Sequence, residues 1–470
     1  MADSSFDENV LIRGPSFHVD LAALDALHPV HYQRRLLIFR CDSTEQRDAQ
    51  LYALKIGLQA LVNQCPILGG IVTPLPPDEA IDGLEDWRTI VPDRGLELVV
   101  KDLRSKMPSF RELEESGFHV SKLPNELLVP IPGDISNDLP FAACKAQFSA
   151  IEGGTIVTLS MSHSVADGSG ANEITRVLSE ETRLAQERLA EGGTVHEVSS
   201  AALIGMDRSV LRDMKSDVPF DIKDHPAFTW KSSQPANNQP HPFEATSPEI
   251  PVHLRIYAAS LAQLKADATS PGAPPISTHD AIAALMWRSA LLIRSRRSAE
   301  TLPASTTGDV FMPSDARRHL NLPQSYVGNA VYQLTASLDF GSLFSPLGLQ
   351  HAASAIRRSI TSVNPELVSS CIAMTNEKWV HWQFLQTMSS TGLAMGTDWS
   401  YGELYSHDWG KAFGPLVRFR YPGAAYACIF PKLPDGTAEV LMSVMPQEVE
   451  TLKGAECFGK YIESPSSVTI

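Results

Sequence analysis

A chain of 470 residues and 51.3 kDa is too long for one ordinary hydrophobic core and points to two or three domains. Hydrophobic residues make up 43% and charged residues 20%, which excludes a disordered or fibrous chain and leaves a globular one. The formal net charge of −15 repels nucleic acid and anionic membranes, so neither is an expected partner. An anionic ligand would then need a local basic patch. Arg294, Arg296 and Arg297 form one candidate, with a solvated helix end as the plainer alternative.

The acidic Met1–Val10 stretch lacks the apolar centre of a secretory signal. No run of about eighteen apolar residues offers a membrane span. The six cysteines, Cys41, Cys65, Cys144, Cys371, Cys428 and Cys457, form neither CxxC pairs nor zinc-type spacings. Free buried thiols in a reducing compartment are expected, with the cytoplasm as the default location and no metal.

In chain order, Leu36–Arg40 predicts a strand, and Ser43-Thr44-Glu45 predicts a helix start. Leu51, Leu54, Leu58, Leu61 and Val62 recur at helical spacing up to Cys65-Pro66. Ala142–Ala150 and Thr155–Ser162 predict a hairpin through Glu152-Gly153-Gly154. Val157, Leu159 and Met161 alternate on one face, with His163 in phase. A helix follows over Gly170–Leu189. Seven prolines make Ser199–Pro251 a long crossover. Beyond it, Thr278 predicts a cap for a helix over Asp280–Ile293. Strands at Val310–Pro313, Ala330–Leu338, Ala424–Phe430 and Ala438–Val444, and helices at Gln350–Val363 and Gln447–Ile462, complete an α/β or α+β chain. The expected domains are 1–198 and 252–470, joined by the crossover 199–251.

The sharpest chemical feature is His163-Ser164-Val165-Ala166-Asp167-Gly168, between a strand and a helix. An imidazole titrates near neutrality and can take a proton from a substrate. Gly168 and Gly170 permit a tight turn. Asp167 could pair with the imidazole or hold the turn through another partner, and the spacing alone does not choose. Trp230, Trp379, Trp382 and Phe384 are candidates for a hydrophobic pocket, or equally for core packing.

These residues and others in the same order resemble the BAHD acyltransferase family, and especially its fungal trichothecene-acetyltransferase-like branch. His163 to Gly168 matches the family's HxxxDG, and Gln147 matches a glutamine on the preceding strand. Thr278-His279-Asp280-Ala281 followed by Leu285-Met286-Trp287-Arg288 is similar to the second-half helix. Asp315-Ala316-Arg317 and Tyr326-Val327-Gly328-Asn329 are similar to its DxR…GN stretch. Thr397-Asp398-Trp399 precedes Asp408-Trp409-Gly410, the counterpart of DFGWG.

The resemblance implies two chloramphenicol-acetyltransferase-like domains with the active site in a channel between them. It also implies a monomer that uses acyl-CoA, with acetyl-CoA the expected donor, and a small-molecule acceptor. His163 would be the general base. The Trp399 indole N–H and Thr397 hydroxyl would face the developing oxyanion. Asp167 would point away from the base and pair with Arg317, and Gly168, Asp408 and Gly410 would be structural. Trp409 and Ala412 depart from DFGWG, and Ser162 stands where condensation domains of peptide synthetases carry another histidine. The competing readings are a condensation-like domain with carrier-bound acyl groups, a scaffold that lost transfer, and a repurposed fold that catalyses cyclisation or dehydration.

Overall fold

The structure is a computed structural model that describes residues 6–27, 31–75, 88–131, 140–191, 205–230, 245, 247–297, 301–378, 382–384, 391–398, 403–421, 427–462 and 467–469. The first half builds a six-stranded sheet in the order Glu8–Ile12, Leu96–Asp102, Cys144–Ile151, Gly154–Ser162, Tyr32–Arg40 and Arg418–Arg420. The expected hairpin is present: Ile151 pairs with Gly154, and Gly153 takes φ +73° at the turn. Helices Thr44–Gln64 and Gly168–Ala190 supply Leu54, Leu58, Ile174 and Leu178 to one core with Val157 and Leu159. Ile156 packs with Leu36, Ile38 and Leu128 in a separate core. The Gly154–Ser162 strand is therefore buried along its whole length, a rigid base for the loop that follows it.

The second half builds a seven-stranded sheet in the order Val331–Asp339, Thr307–Asp315, Gly392–Asp398, Ala427–Ile429, Ala438–Val444, Ile250–Ile256 and Val468–Thr469. Helices Thr278–Ser295 and Gly348–Thr361 join its core through Leu285, Trp287, Leu291 and Ile356. The fold is a mixed α/β arrangement of two large sheets, with a smaller two-stranded and a three-stranded sheet. Its halves are cross-linked, because Arg418–Arg420 leaves the second half and pairs with Leu36–Ile38 at the edge of the first sheet. Arg420 bonds Glu439 at 2.8 Å and the carbonyls of Gly117 and Phe118 at 2.7 Å. Arg255 also bonds Glu439, at 2.8 Å.

Several boundaries differ from the sequence reading. Ser277, not Thr278, caps the second-half helix, and Asp280 returns the bond to the Ser277 N–H in a capping box. A helix over Pro365–Lys378 was not expected, although Asn364, whose Oδ1 accepts from Leu367 N–H at 2.7 Å, and Pro365 mark its start. The expected helix Gln447–Ile462 is a single turn, Val449–Leu452. Gly454 and Gly459 end it, and Gly459 N–H turns back to the Gly454 carbonyl at 2.9 Å. Residues 424–426 of one expected strand lie outside the described residues.

The crossover carries structure of its own, a turn of helix at Ser209–Arg212 and a strand Phe228–Trp230 that pairs with Trp382–Phe384. Residues 199–204, 231–244 and 246 of it lie outside the described residues. The six cysteines are buried and form no disulfide among the described residues. Among the described residues no helix is long and apolar enough to cross a membrane, and no His/Cys/Asp/Glu group could hold a metal ion.

Candidate active site

The Gly154–Ser162 strand ends at Ser162, and the chain turns, with Val165 N–H bonding the Ser162 carbonyl at 3.0 Å. His163 lies in that turn, so strand parity no longer decides where its ring goes. Its backbone N–H donates to the His31 carbonyl at 3.1 Å, and the two rings lie 4.7 Å apart. The imidazole meets the second half of the chain. Nδ1 is 3.0 Å from Oδ1 of Asn329, the asparagine of the Gly328-Asn329 motif.

That contact defines the imidazole's chemistry. Asn329 Nδ2 donates to the His163 carbonyl and to Asp25 Oδ1, both at 2.8 Å. Both partners are acceptors, so the carboxamide nitrogen must face them and Oδ1 must face Nδ1. An acceptor at Nδ1 requires Nδ1–H. The lone pair is then on Nε2, the tautomer a general base needs.

Asp167 does not bond the imidazole. It caps the Gly168–Ala190 helix through Oδ1, which accepts from Gly170 N–H at 2.8 Å. The same carboxylate takes a two-pronged grip from Arg317, at 2.8 and 2.9 Å, and a bond from Ala330 N–H at 2.9 Å. Arg317 is wholly buried and also donates to the carbonyls of Tyr326 and Gly328 and to Asp315. Burial alone would lower the guanidinium's pKa, but the charges and hydrogen bonds of Asp167 and Asp315 together outweigh it and raise it. The pair is a rivet between the His163 loop and the loop that carries Asn329.

Glycines make this approach possible. A Cβ on Gly170 would lie 2.1 Å from the Val327 carbonyl oxygen, and one on Gly328 would lie 1.6 Å from Arg208 Nη1. Arg208 comes from the expected linker. It is buried, and its Nη2 donates to the Val165 carbonyl at 2.9 Å, inside the His163 loop. Sequence reasoning missed both Arg208 and Asp25, since neither falls in a motif.

Asp408 and Gly410 serve a different purpose. Asp408 is exposed and accepts from Gly410 N–H at 2.9 Å, with Gly410 at φ +78°. Gln186 of the Gly168–Ala190 helix bonds the Trp409 carbonyl and Ala412 N–H, both at 2.7 Å. Trp409 is wholly buried beside Phe39 and Phe413, at ring distances of 5.2 and 5.8 Å. The motif pins the chain to the first half just before it enters that half's sheet. The tryptophan that departs from DFGWG fills core.

Gln147 is buried and donates to the Leu127 carbonyl and Ser149 hydroxyl, both at 2.7 Å. Thr397 lies on the Gly392–Asp398 strand at an irregularity in its pairing with Cys428. Its side chain lies outside the described residues, as do Trp399, Trp379 and the side chains of Trp230, Trp382 and Phe384.

The basic patch fares differently. Arg297 is bound by Glu448 and Glu249, each at 2.7 Å, and Arg296 bonds Glu456 at 2.6 Å. Arg294 donates to the Gly392 carbonyl at 3.0 Å, and burial lowers its pKa. Burial acts the same way on Arg297, but its bonds to Glu448 and Glu249 outweigh it and raise the guanidinium. An anion here would compete with carboxylates already in place. Gly392 is also at the opposite end of its strand from Thr397-Asp398, about 15–20 Å away at strand rise. The three arginines are thus engaged in a structural network.

A model of the Transferase family matches residues 15–454. The chain belongs to that family, in agreement with the acyltransferase motifs. Enoyl-CoA isomerase/hydratase claC of Penicillium crustosum is 28% identical over 98% of this chain, which spans only 53% of that protein's length. Trichothecene 3-O-acetyltransferase TRI101 of Fusarium sporotrichioides is 25% identical, over 95% of this chain and 97% of that one. O-acyltransferase pigD of Monascus ruber is 25% identical over 92% and 95%. Among solved structures, F. sporotrichioides TRI101 complexed with Coenzyme A and T-2 superposes with a TM-score of 0.78 at 21% identity, covering 95% of this chain and 99% of that one. Vinorine synthase superposes at 0.64 and 16% identity, with 98% of each chain covered. These superpositions show the fold.

Proposed function

We propose that the protein is an acyl-CoA-dependent acyltransferase that moves an acyl group, acetyl in the first instance, to a hydroxyl or amine of a small metabolite. The observation that carries this reading is the Nδ1 contact with Asn329 at 3.0 Å, which sets the lone pair on Nε2. Full-length relatives named as O-acetyltransferases, and one solved in complex with Coenzyme A, support the donor class.

In the proposed mechanism Nε2 of His163 takes the acceptor's proton as its oxygen or nitrogen attacks the thioester carbonyl carbon. The carbonyl π electrons move to oxygen and give a tetrahedral oxyanion. Trp399 and Thr397 are the proposed donors to that oxygen, where electrostatic stabilisation acts most strongly. Collapse breaks the carbon–sulfur bond, and the departing CoA thiolate receives the proton from the imidazolium. The Asp167–Arg317 pair holds the loop. Nothing in this scheme draws on Arg294, Arg296 or Arg297. The working assembly is proposed to be a cytoplasmic monomer of two domains, with both substrates meeting at His163.

Calorimetric titration with acetyl-CoA, followed by thiol release with a panel of hydroxylated metabolites, tests this. Micromolar binding with acceptor-stimulated thiol release is the expected result. Absence of binding to acetyl-, malonyl- and longer acyl-CoA donors would overturn it and turn attention to a repurposed fold.

A further inference from the structure

Asp25 is wholly buried, and all its bonds converge on the residue that holds the base or on its own turn. Oδ1 accepts from the backbone N–H of Asn329 at 2.9 Å and from Nδ2 of Asn329 at 2.8 Å. Oδ2 accepts from Ala22 N–H at 3.0 Å, which fixes the carboxylate's rotation. Arg208 Nη1 stands 3.9 Å from Oδ1, and both side chains are shielded from solvent. A buried carboxylate is costly unless it is bonded and paired, and this one is both.

Resting on the reading of His163 as the base, we infer that Asp25 is a positioning residue that acts on His163 through Asn329. It has two effects. The first is geometric. Turning the Asn329 carboxamide over would set Oδ1 against Asp25 Oδ1 and the His163 carbonyl, and would aim an N–H at Nδ1. That orientation demands a lone pair on Nδ1 and a proton on Nε2, where it blocks proton uptake. The Asp25 carboxylate, an acceptor for two Asn329 N–H groups, penalises this orientation. The second effect is electrostatic. A negative charge one residue behind the imidazole stabilises the imidazolium that forms as the acceptor loses its proton.

The unit resembles a histidine with a carboxylate behind it, with an asparagine interposed. The other charged or titratable groups around it are Arg208, Tyr326 whose ring lies 5.5 Å from that guanidinium, the Asp167–Arg317 pair, and His31. Of these and Asp25, only Asp25 is hydrogen-bonded to Asn329 among the described residues. A carboxylate that merely neutralised Arg208 would leave the tautomer and the pH profile of His163 where they are.

The test is Asp25→Asn in the full-length protein, labelled with 15N-histidine. His163 is assigned by the signals lost in His163→Ala. Wild type should show Nδ1–H at neutral pH. Asp25→Asn should move population to Nε2–H and lower the imidazole's pKa. The acid limb of acetyl-CoA thiol release should shift to lower pH, and kcat should fall about 10²-fold with little change in KM for acetyl-CoA. A folded variant with the wild-type tautomer and an unmoved titration overturns the proposal. If a lone buried Arg208 prevents folding, Asp25→Asn/Arg208→Gln removes both charges, and the same readouts decide. The tautomer measurement needs no turnover. It therefore stands even if no acyl-CoA is processed, an outcome that would count against the proposed function instead.

Discussion

Removing the Asp167 carboxylate should damage stability and catalysis together, and the structure sets the size of the effect. Asp167 accepts four hydrogen bonds, two from Arg317 and one each from Gly170 and Ala330 N–H. Asp167→Ala leaves the wholly buried Arg317 with only Asp315, about a third exposed, as a charged partner. Breaking a buried pair from one side costs about 3–5 kcal/mol. Losing the helix cap adds about 1 kcal/mol. The contact with Asp315 and the bonds to the Tyr326 and Gly328 carbonyls soften the total, so about 3–4 kcal/mol is expected. That is a large share of the ~5–15 kcal/mol that holds a typical domain folded. Urea unfolding followed by fluorescence of the buried Trp287 and Trp409 measures it. The double variant Asp167→Ala/Arg317→Met should recover part of the loss, because no lone charge stays buried. A single-variant loss below about 1 kcal/mol, or a double variant as damaged as the sum of the singles, would refute the rivet.

Two further outcomes follow from the ion-pair networks. Arg297→Ala should lower the unfolding midpoint through stranded Glu448 and Glu249 while leaving acetyl-CoA affinity unchanged; a tenfold weaker affinity in a folded variant would restore the CoA patch. Acid should loosen the junction of the halves. Burial pushes His119 down to about 4 and His253 well below its ordinary value, with Arg420 adding to both shifts and Glu439 partly opposing it at His253. Both groups stay neutral in the fold and take up protons more readily unfolded. Stability is therefore full above about pH 6.5 and is lost as pH falls toward 4. His253→Phe, beside Phe430 and His119, should flatten that decline in thermal unfolding measured across the range. An unchanged slope would place the acid sensitivity elsewhere.

Much of the fold was legible because its elements carry periodicity and caps. Leu51, Leu54, Leu58, Leu61 and Val62 fall on the buried side of a helix that Ser43 caps, as their spacing implies. Ala438–Val444 is a strand over the range read from the sequence. The failures have local causes. The Gln447–Ile462 pattern looked helical because its apolar residues recur, yet two glycines redirect the backbone. The Pro-rich crossover read as a connector, and proline count alone could not show that Arg208 within it reaches back to Val165. At the site, motif order brought His163, Asp167, Arg317 and Asn329 into view. The family resemblance already turned Asp167 away from the base toward Arg317, but that Asn329 meets the imidazole emerges only from the fold, since the contact joins residues 166 apart in sequence. Asp25 lay in an apolar stretch with no motif to mark it. The acidic partners of the arginine patch were not legible, because sequence displays like charges side by side and hides Glu249, Glu448 and Glu456 folded against them.

The proposed mechanism turns on proton uptake from the acceptor by Nε2 of His163. The most direct test is thiol release from acetyl-CoA by wild type and His163→Ala, with matched unfolding curves to show that both are folded. Loss of the base should lower kcat by about 10²–10⁴-fold with stability and acetyl-CoA binding preserved. A folded His163→Ala protein that releases thiol and forms acylated product at near wild-type rate would contradict it.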